Sequence, residues 1–341
     1  MGEVVQLVRV GVVGAAGVLG REVLAVLERR RIHLLELVPI GSPGSAGEGV
    51  EVQGDDLPLR PPDTDLSGVD WLFLCAPAEV SLEYARRALH ASVPAFDCSG
   101  ALIRTEEVPL LDVETLSEEP VAADTAPLVA VAGGPALAWS RVLSAIDREA
   151  GLRHVQITAL ESASTAGQRA FAALSAETIA LLNQQEAPEP ERLPWPLAFD
   201  CHPATDEVDL DGQSGREAAL TQQLHRLLRS DLAVDCTVLR IPTFTGEGAV
   251  LVIATERPVD PSEAAAWLSK APGVEVLSED RDALRTRAST GRESVLVGRI
   301  RKMSDGGLQL WLTADTQRLT ALNAVRLAER RTAAGASGPP E

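Results

Sequence analysis

Apolar positions along the first third of the chain fall into two repeating patterns. Residues 7–13 (LVRVGVV), 34–40 (LLELVPI), 70–76 (DWLFLCA) and 93–99 (VPAFDCS) are near-continuous apolar runs of strand length, as in strands buried on both faces. Between the first two runs, Leu19, Val23, Val26 and Leu27 recur at helical spacing, and YARRALHAS fits a helix between the last two. This alternation predicts a doubly wound α/β sheet, closed by a weaker strand at 128–133 (LVAVAG).

From about residue 134 the pattern changes. It predicts a helix over 135–149, a strand over 154–162 (HVQITALES), and a helix from Thr165 to about Asn183 with Phe171, Leu174, Leu181 and Leu182 on one face. After a Pro-rich loop (186–196) come a helix over 214–229, strands over 233–242 and 249–256, and a helix over 261–270. Two further strands, SVLVGRIRK and LQLWLTA, are joined by an Asp305-Gly306-Gly307 turn. The second half is thus an α+β domain with a largely antiparallel sheet. A last helix over 317–331, with Leu319, Leu322, Val325 and Leu327 near helical spacing, is expected to pack back on the first domain, followed by a disordered tail at 332–341. The expected domains are 1–133 plus 315–331, and 134–314.

Composition narrows the function. A chain of 341 residues holds two domain-sized cores. Its 31 Lys and Arg against 49 Asp and Glu leave a net charge of −18, which repels nucleic acid and anionic membranes and leaves small molecules or proteins as partners. Only Lys270 and Lys302 are lysines, so Schiff-base chemistry has few candidates. Cys75, Cys98, Cys201 and Cys236 are widely spaced without a CxxC pair, which points to neither a disulfide framework nor a metal site. The first residues carry Glu3, and Gly11, Gly14 and Gly17 interrupt the apolar run before membrane-spanning length. A soluble, cytoplasmic protein is expected.

Between the first strand and helix lies GAAGVLG, residues 14–20. Glycines there permit a tight turn, and the helix N-terminus offers free N–H groups to a pyrophosphate. The expected cofactor contacts are Gly14, Ala16, Gly17, Val18 and Leu19. The second strand ends in Ile40-Gly41-Ser42, without the acidic residue that an NAD site uses for the ribose hydroxyls. Ser42 suits the extra phosphate of NADP, but His33 is the one basic residue between Arg31 and Arg60. NADP, weakly held, is expected ahead of NAD.

Several separated segments, in order, resemble the aspartate-semialdehyde dehydrogenase family over nearly the whole chain. GAAGVLG is similar to that family's GATGxVG loop, GSPGSAG (41–47) to its cofactor-phosphate loop, and DCSGALIRTEEVPL (97–110) to its DxSSAFR segment. ITALESASTAGQRA (157–170) resembles the stretch with its active-site glutamine, LAFDCHP (197–203) its AFNxxP, TVLRIPTFTGEG (237–248) its CVRVPVxxGH, and ADTQRLTALNAVRLAE (314–329) its terminal helix. The resemblance implies a Rossmann-type NAD(P)-binding domain and an α+β dimerisation domain of the glyceraldehyde-3-phosphate-dehydrogenase-like kind. It also implies a homodimer, NADP use, and reductive dephosphorylation of an acyl phosphate through a cysteine thioester. SASTAGQRA and LWLTADTQR are closest to the Usg-type paralogues, some of which lack the cysteine.

The departures concentrate on one site. The family's nucleophilic cysteine falls on Gly134, and no cysteine lies between Cys98 and Cys201. Its glutamine falls on Glu161 and its histidine base on Glu247, while the carboxylate-binding arginine is kept as Arg240. The substrate-phosphate arginine falls on Ile103, with Arg104 one residue away, and the phosphate lysine falls on Ala219. The nicotinamide-side asparagine becomes Thr316, and the cofactor-loop arginine becomes Gly44. Arg240 and Arg104 are the remaining substrate-binding candidates.

Single residues allow other readings. Cys98 ends a Rossmann strand and is a displaced-nucleophile candidate, set against a small buried residue beside the crevice. Cys201-His202 suggests a dyad, but neighbours on an extended segment point to opposite faces. Glu247 and Glu161 are candidates for a general base, sharing a proton if both face one cavity. Arg240, on an apolar strand, needs either a ligand carboxylate or one of those glutamates, and the internal pair is favoured. The sequence therefore predicts a family member without acyl-phosphate chemistry. The alternatives are a scaffolding dimer paired with an active relative, and an NAD(P)-dependent oxidoreductase with Glu247 as base.

Overall fold

A computed structural model describes residues 7–45, 48–52, 54–116, 122–189, 195–203, 205–277, 282–304 and 306–336. They form two units: the described residues up to Gly133 together with those from Thr320 onward, and Gly134–Leu319.

In the first unit, β1 (Val8–Val13), α1 (Val18–Arg29) and β2 (Leu34–Ile40) lie where the apolar runs place them. A hairpin of β3 (Gly49–Val52) and β4 (Asp55–Pro58) follows, then β5 (Trp71–Leu74), α2 (Ala78–Ala91), β6 (Ala95–Asp97), β7 (Leu110–Leu111), α3 (Ala122–Thr125) and β8 (Leu128–Val131). The sheet has the order β2-β1-β5-β6-β8-β7 with every pair parallel. Successive side chains alternate between its faces. Val10, Val12 and Phe73 join Val23, Val26 and Leu27 of α1, while Val13, Leu72 and Leu74 meet Tyr84, Ala85 and Ala88 of α2 on the other side.

The second unit begins with α4 (Gly134–Ala150), β9 (Leu152–Glu161) and α5 (Gln168–Leu182). It continues with α6 (Gly215–Leu228), β10 (Ala233–Arg240), β11 (Glu247–Thr255), α7 (Pro261–Leu268), β12 (Val274–Val276), β13 (Val295–Lys302) and β14 (Leu308–Ala314). The sheet order is β10-β9-β11-β14-β13-β12. Its three central pairs are antiparallel, but β10 runs parallel to β9 and β12 parallel to β13. The sheet is therefore mixed, because each outermost strand enters after a helix and not after a tight turn.

The last helix, α8 (Thr316–Ala336), is longer than the spacing predicts, and the expected tail is helical as far as Ala336. Residues 337–341 lie outside the described residues, as does Asp305 of the expected turn. Ala321, Leu322, Ala324, Val325, Leu327 and Ala328 of α8 belong to the same cluster as β1 and α1. Asn323 anchors the helix: its amide donates to the carbonyls of Leu111 and Ala132, both at 2.9 Å, and its oxygen accepts from the Val113 N–H at 2.9 Å.

The predicted face of α5 packs only in its first half, where Leu174 is buried and the Phe171 ring lies 4.8 Å from that of Phe244. Ala170, Leu174 and Glu177 are buried, while Leu181 and Leu182 are exposed. Burial of the charged Glu177 on this helix is explained by its Oε2, which accepts from the N–H groups of Leu197 and Ala198 at 2.7 and 2.9 Å. Among the described residues no helix is long and apolar enough to cross a membrane, and no group of three or more His, Cys, Asp or Glu is placed to hold a metal ion.

Candidate functional site

The glycine turn is built by the end of β2. Gly14 and Ala15 donate their N–H groups to the Ile40 carbonyl at 2.9 and 3.3 Å, and Gly17 donates to Gly14 at 3.0 Å. Gly14 has φ +80°, and a Cβ on it would lie 2.9 Å from the Ala76 nitrogen, so the turn admits no larger residue without displacing the neighbouring strand end. Gly17 caps α1 without a side-chain hydrogen bond, and the first turn holds no acid. No acid in that first turn competes for the opening N–H groups of α1. Ala16, Gly17, Val18 and Leu19 are half-buried along this opening. Arg21, not singled out in the sequence, folds back so that its Nε donates to the Ala16 carbonyl at 2.9 Å. These residues fit a dinucleotide pyrophosphate.

Ser42 is exposed, its hydroxyl 2.8 Å from that of Ser45. The next arginine along the chain, Arg60, has its backbone beside the end of β2. The β3–β4 hairpin returns the chain so that Arg60 bridges Ile40, with its N–H on Pro39 at 2.7 Å and its carbonyl accepting from Gly41 at 3.1 Å. The Arg60 guanidinium is largely exposed and rests 3.8 Å from Glu36.

Arg104 is exposed on the turn after β6, and Ile103 is half-buried. That turn is organised by Asp97, whose carboxylate accepts from Ser99 N, Ser99 Oγ and Leu102 N at 3.0, 2.5 and 2.7 Å. Cys98 is buried, and hydrogen bonding to Cys75 together with burial holds its thiol well above the usual range. It is therefore a poor nucleophile. Cys201 is exposed while His202 is buried, with Nε2 of His202 on the Pro196 carbonyl at 3.0 Å. The two side chains form no dyad.

In the second unit, Glu161, Arg240 and Glu247 come together at the ends of β9, β10 and β11. Arg240 and Glu161 are direct partners in the parallel β9–β10 register, so their side chains leave the sheet on the same face. Glu161 Oε2 accepts from Arg240 Nη2 at 3.2 Å, and Glu161 Oε1 accepts from Nε and Nη2 of Arg216 at 2.9 and 2.7 Å. Arg240 Nη1 donates to the Ser162 carbonyl and to Thr165 Oγ1 at 2.8 and 2.6 Å. Arg240 thus has the internal partner that its setting demands. Burial lowers its pKa despite Glu161; for Arg216 burial also lowers the value, but Glu161, Asp206 and Glu247 together raise it.

Arg216 is the participant that sequence reading missed. Its placement follows from a capping box: Ser214 Oγ accepts from Glu217 N, and Glu217 Oε2 accepts from Ser214 N. Glu217 Oε1 also takes the Val238 N–H at 2.8 Å, pinning the start of α6 to β10. The Ser-x-x-Glu signal was present in the sequence, and it places Arg216 in the first turn.

Glu247 is held separately. Its Oε1 accepts from Ser162 Oγ at 2.6 Å, and its Oε2 accepts from the N–H and hydroxyl of Thr316 at 3.1 and 2.8 Å. Burial raises its pKa against these bonds. Both glutamates border a cavity of 10 Å³, room for about one water, together with Pro135, Trp139 and Thr316. No hydrogen bond joins the two carboxylates among the described residues; each is held by its own donors. Gly134 opens α4 with φ +60°, and a Cβ there would meet Arg216 Nη2 at 3.9 Å.

Residues 9–123 match the semialdehyde dehydrogenase NAD binding domain, and residues 143–318 match the semialdehyde dehydrogenase dimerisation domain. The chain is 30% identical over 329 residues to an aspartate-semialdehyde dehydrogenase of Aquifex aeolicus, covering 94% of this chain and 97% of that one. It belongs to the aspartate-semialdehyde dehydrogenase family. Within that family it is also 29% identical to a USG-1 protein homolog of Azotobacter vinelandii, over 94% of this chain and 96% of the homolog. The fold agrees with the crystal structure of aspartate semialdehyde dehydrogenase II complexed with ASA from Vibrio cholerae, with a TM-score of 0.90 and 26% identity over 96% of this chain and 99% of that one.

Proposed function

We propose that this chain is a cytoplasmic, homodimeric member of the aspartate-semialdehyde dehydrogenase family that binds NADP but has lost acyl-phosphate reductase chemistry. The observation that carries this reading is Gly134. At the N-terminus of α4, where the resemblance places the thioester-forming cysteine, there is no side chain at all. Glu161 and Glu247 stand where the glutamine and histidine base would be, and each is consumed by internal hydrogen bonds. The nucleotide turn keeps its geometry, and Ser42, Ser45 and Arg60 support a preference for the extra phosphate of NADP. When bound, the cofactor would supply hydride-transfer chemistry. The test is turnover with aspartate semialdehyde, NADP and phosphate; a kcat in the ordinary enzyme range of roughly 1–10³ s⁻¹ overturns the reading.

A second reading is that the working product is the dimer surface itself. It is favoured by Trp195 and Phe199, which are exposed on the dimerisation domain, Phe199 at φ +62° on the loop clamped by Glu177. A bulky exposed residue in that conformation is held there by its surroundings. A chain that sediments as a monomer at micromolar concentration removes this reading.

A further inference from the structure

We propose that Glu161 is a tethered ligand: its carboxylate fills, from within the chain, a two-guanidinium anion site formed by Arg216 and Arg240, and a chain lacking that carboxylate takes up a small free carboxylate in its place. This rests on the reading above in one respect, that Arg240 would otherwise be open to a substrate carboxylate.

The geometry is that of a bound anion. Each oxygen of Glu161 faces a different guanidinium, Oε1 receiving two N–H groups of Arg216 and Oε2 one of Arg240. An exposed ion pair exchanges with water and contributes little. Here Glu161 is 1% exposed and the Arg240 side chain 6%, so neither charge has an alternative in solvent and each holds the other in place. The carboxylate is delivered by a strand residue whose backbone is paired directly with Arg240, so it cannot swing away as a loop residue could. Donors still outnumber acceptors, because Arg240 Nε is buried without a partner among the described residues. The Arg216 side chain is 36% exposed and provides the approach from solvent. The remaining acidic groups acting on the pair are Asp206 and Glu247, and Glu247 is bonded to Ser162 and Thr316.

In the parent chain, therefore, free carboxylates are excluded because the position is already taken. The test uses the full-length chain and Glu161→Ala, with thermal unfolding followed in sodium formate, sodium acetate and sodium chloride at equal ionic strength, and formamide as the uncharged control. The variant's midpoint is expected to rise saturably with formate by several degrees, with no such rise in chloride or formamide, while the parent responds to formate no more than to chloride. Equal responses of the variant to formate and chloride, or equal responses of parent and variant to formate, overturn the proposal. Should Glu161→Ala fail to fold in chloride, refolding in formate decides: recovery supports the tethered-ligand role, and no recovery overturns it. Turnover by the parent would refute the functional reading whatever the titration gave, whereas a silent titration refutes only the tethered ligand.

Discussion

The carboxyl of Glu247 and the hydroxyl of Ser162 lie 2.6 Å apart with both side chains cut off from solvent. Burial outweighs the bonds from Ser162 and Thr316 and raises the pKa of Glu247 from its ordinary 4.5. Folded protein therefore retains a proton that the unfolded chain releases, so the stability tied to this group is complete below about 4.5 and declines as pH rises through the folded value. Glu247→Gln keeps the shape and removes the titration. Urea unfolding across this range is expected to show parent stability falling relative to the variant as pH rises. A constant difference between the two would contradict this account.

Restoring the missing thiol is not expected to restore turnover. Gly134→Cys places Sγ at the start of α4, but the left-handed backbone at φ +60° makes any side chain there cost about 1–2 kcal/mol, and Glu161 still occupies Arg240. Steady-state rates with aspartate semialdehyde should stay at background, and urea unfolding should show the lost stability. Ordinary turnover by this single variant would mean that the other replacements are tolerated.

Arg60→Ala should weaken NADP binding about tenfold, close to 1.4 kcal/mol, and leave NAD binding nearly unchanged. Fluorescence titrations with the two nucleotides make the comparison. An equal loss for both would place Arg60 away from the extra phosphate.

Asn323→Leu should be among the most damaging single changes in the first unit. It leaves the buried carbonyls of Leu111 and Ala132 and the N–H of Val113 without the partner they have now. The Leu111 carbonyl keeps the Ala132 N–H at 2.8 Å, so two groups are orphaned, and at about 1–3 kcal/mol per unsatisfied group the expected loss is roughly 2 kcal/mol or more. Denaturant unfolding measures it, and a loss within the error of the extrapolation would show that these groups find other partners.

Legibility in the sequence followed the range of the forces involved. β1, the turn and α1 were readable because glycines, apolar runs and helical spacing are local signals. The β3–β4 hairpin was not, since GVEV and DDLP are four residues each, too short for the alternation of Val50 and Val52 to stand out. That omission hid Arg60, which is eighteen residues from Ser42 along the chain but beside β2 in space. Glu161, Arg240 and Glu247 were identified individually, yet their division into an arginine-bound carboxylate and a hydroxyl-bound one depends on strand register. Arg216 enters only through the cap of α6. The exposed Leu181 and Leu182 mark the converse failure, where apolar spacing suggested a packed face that the second half of α5 does not have.

The division of the first unit between the two ends of the chain sets an order of events during synthesis. Its sheet is complete by Gly133, but the apolar face that receives Leu322, Val325 and Leu327 stays uncovered until α8 has left the ribosome. At 5–20 residues per second that interval is roughly 10–40 s. During it the nascent nucleotide-binding half carries an uncovered apolar face, and a message truncated before α8 would yield a chain whose first unit cannot be finished.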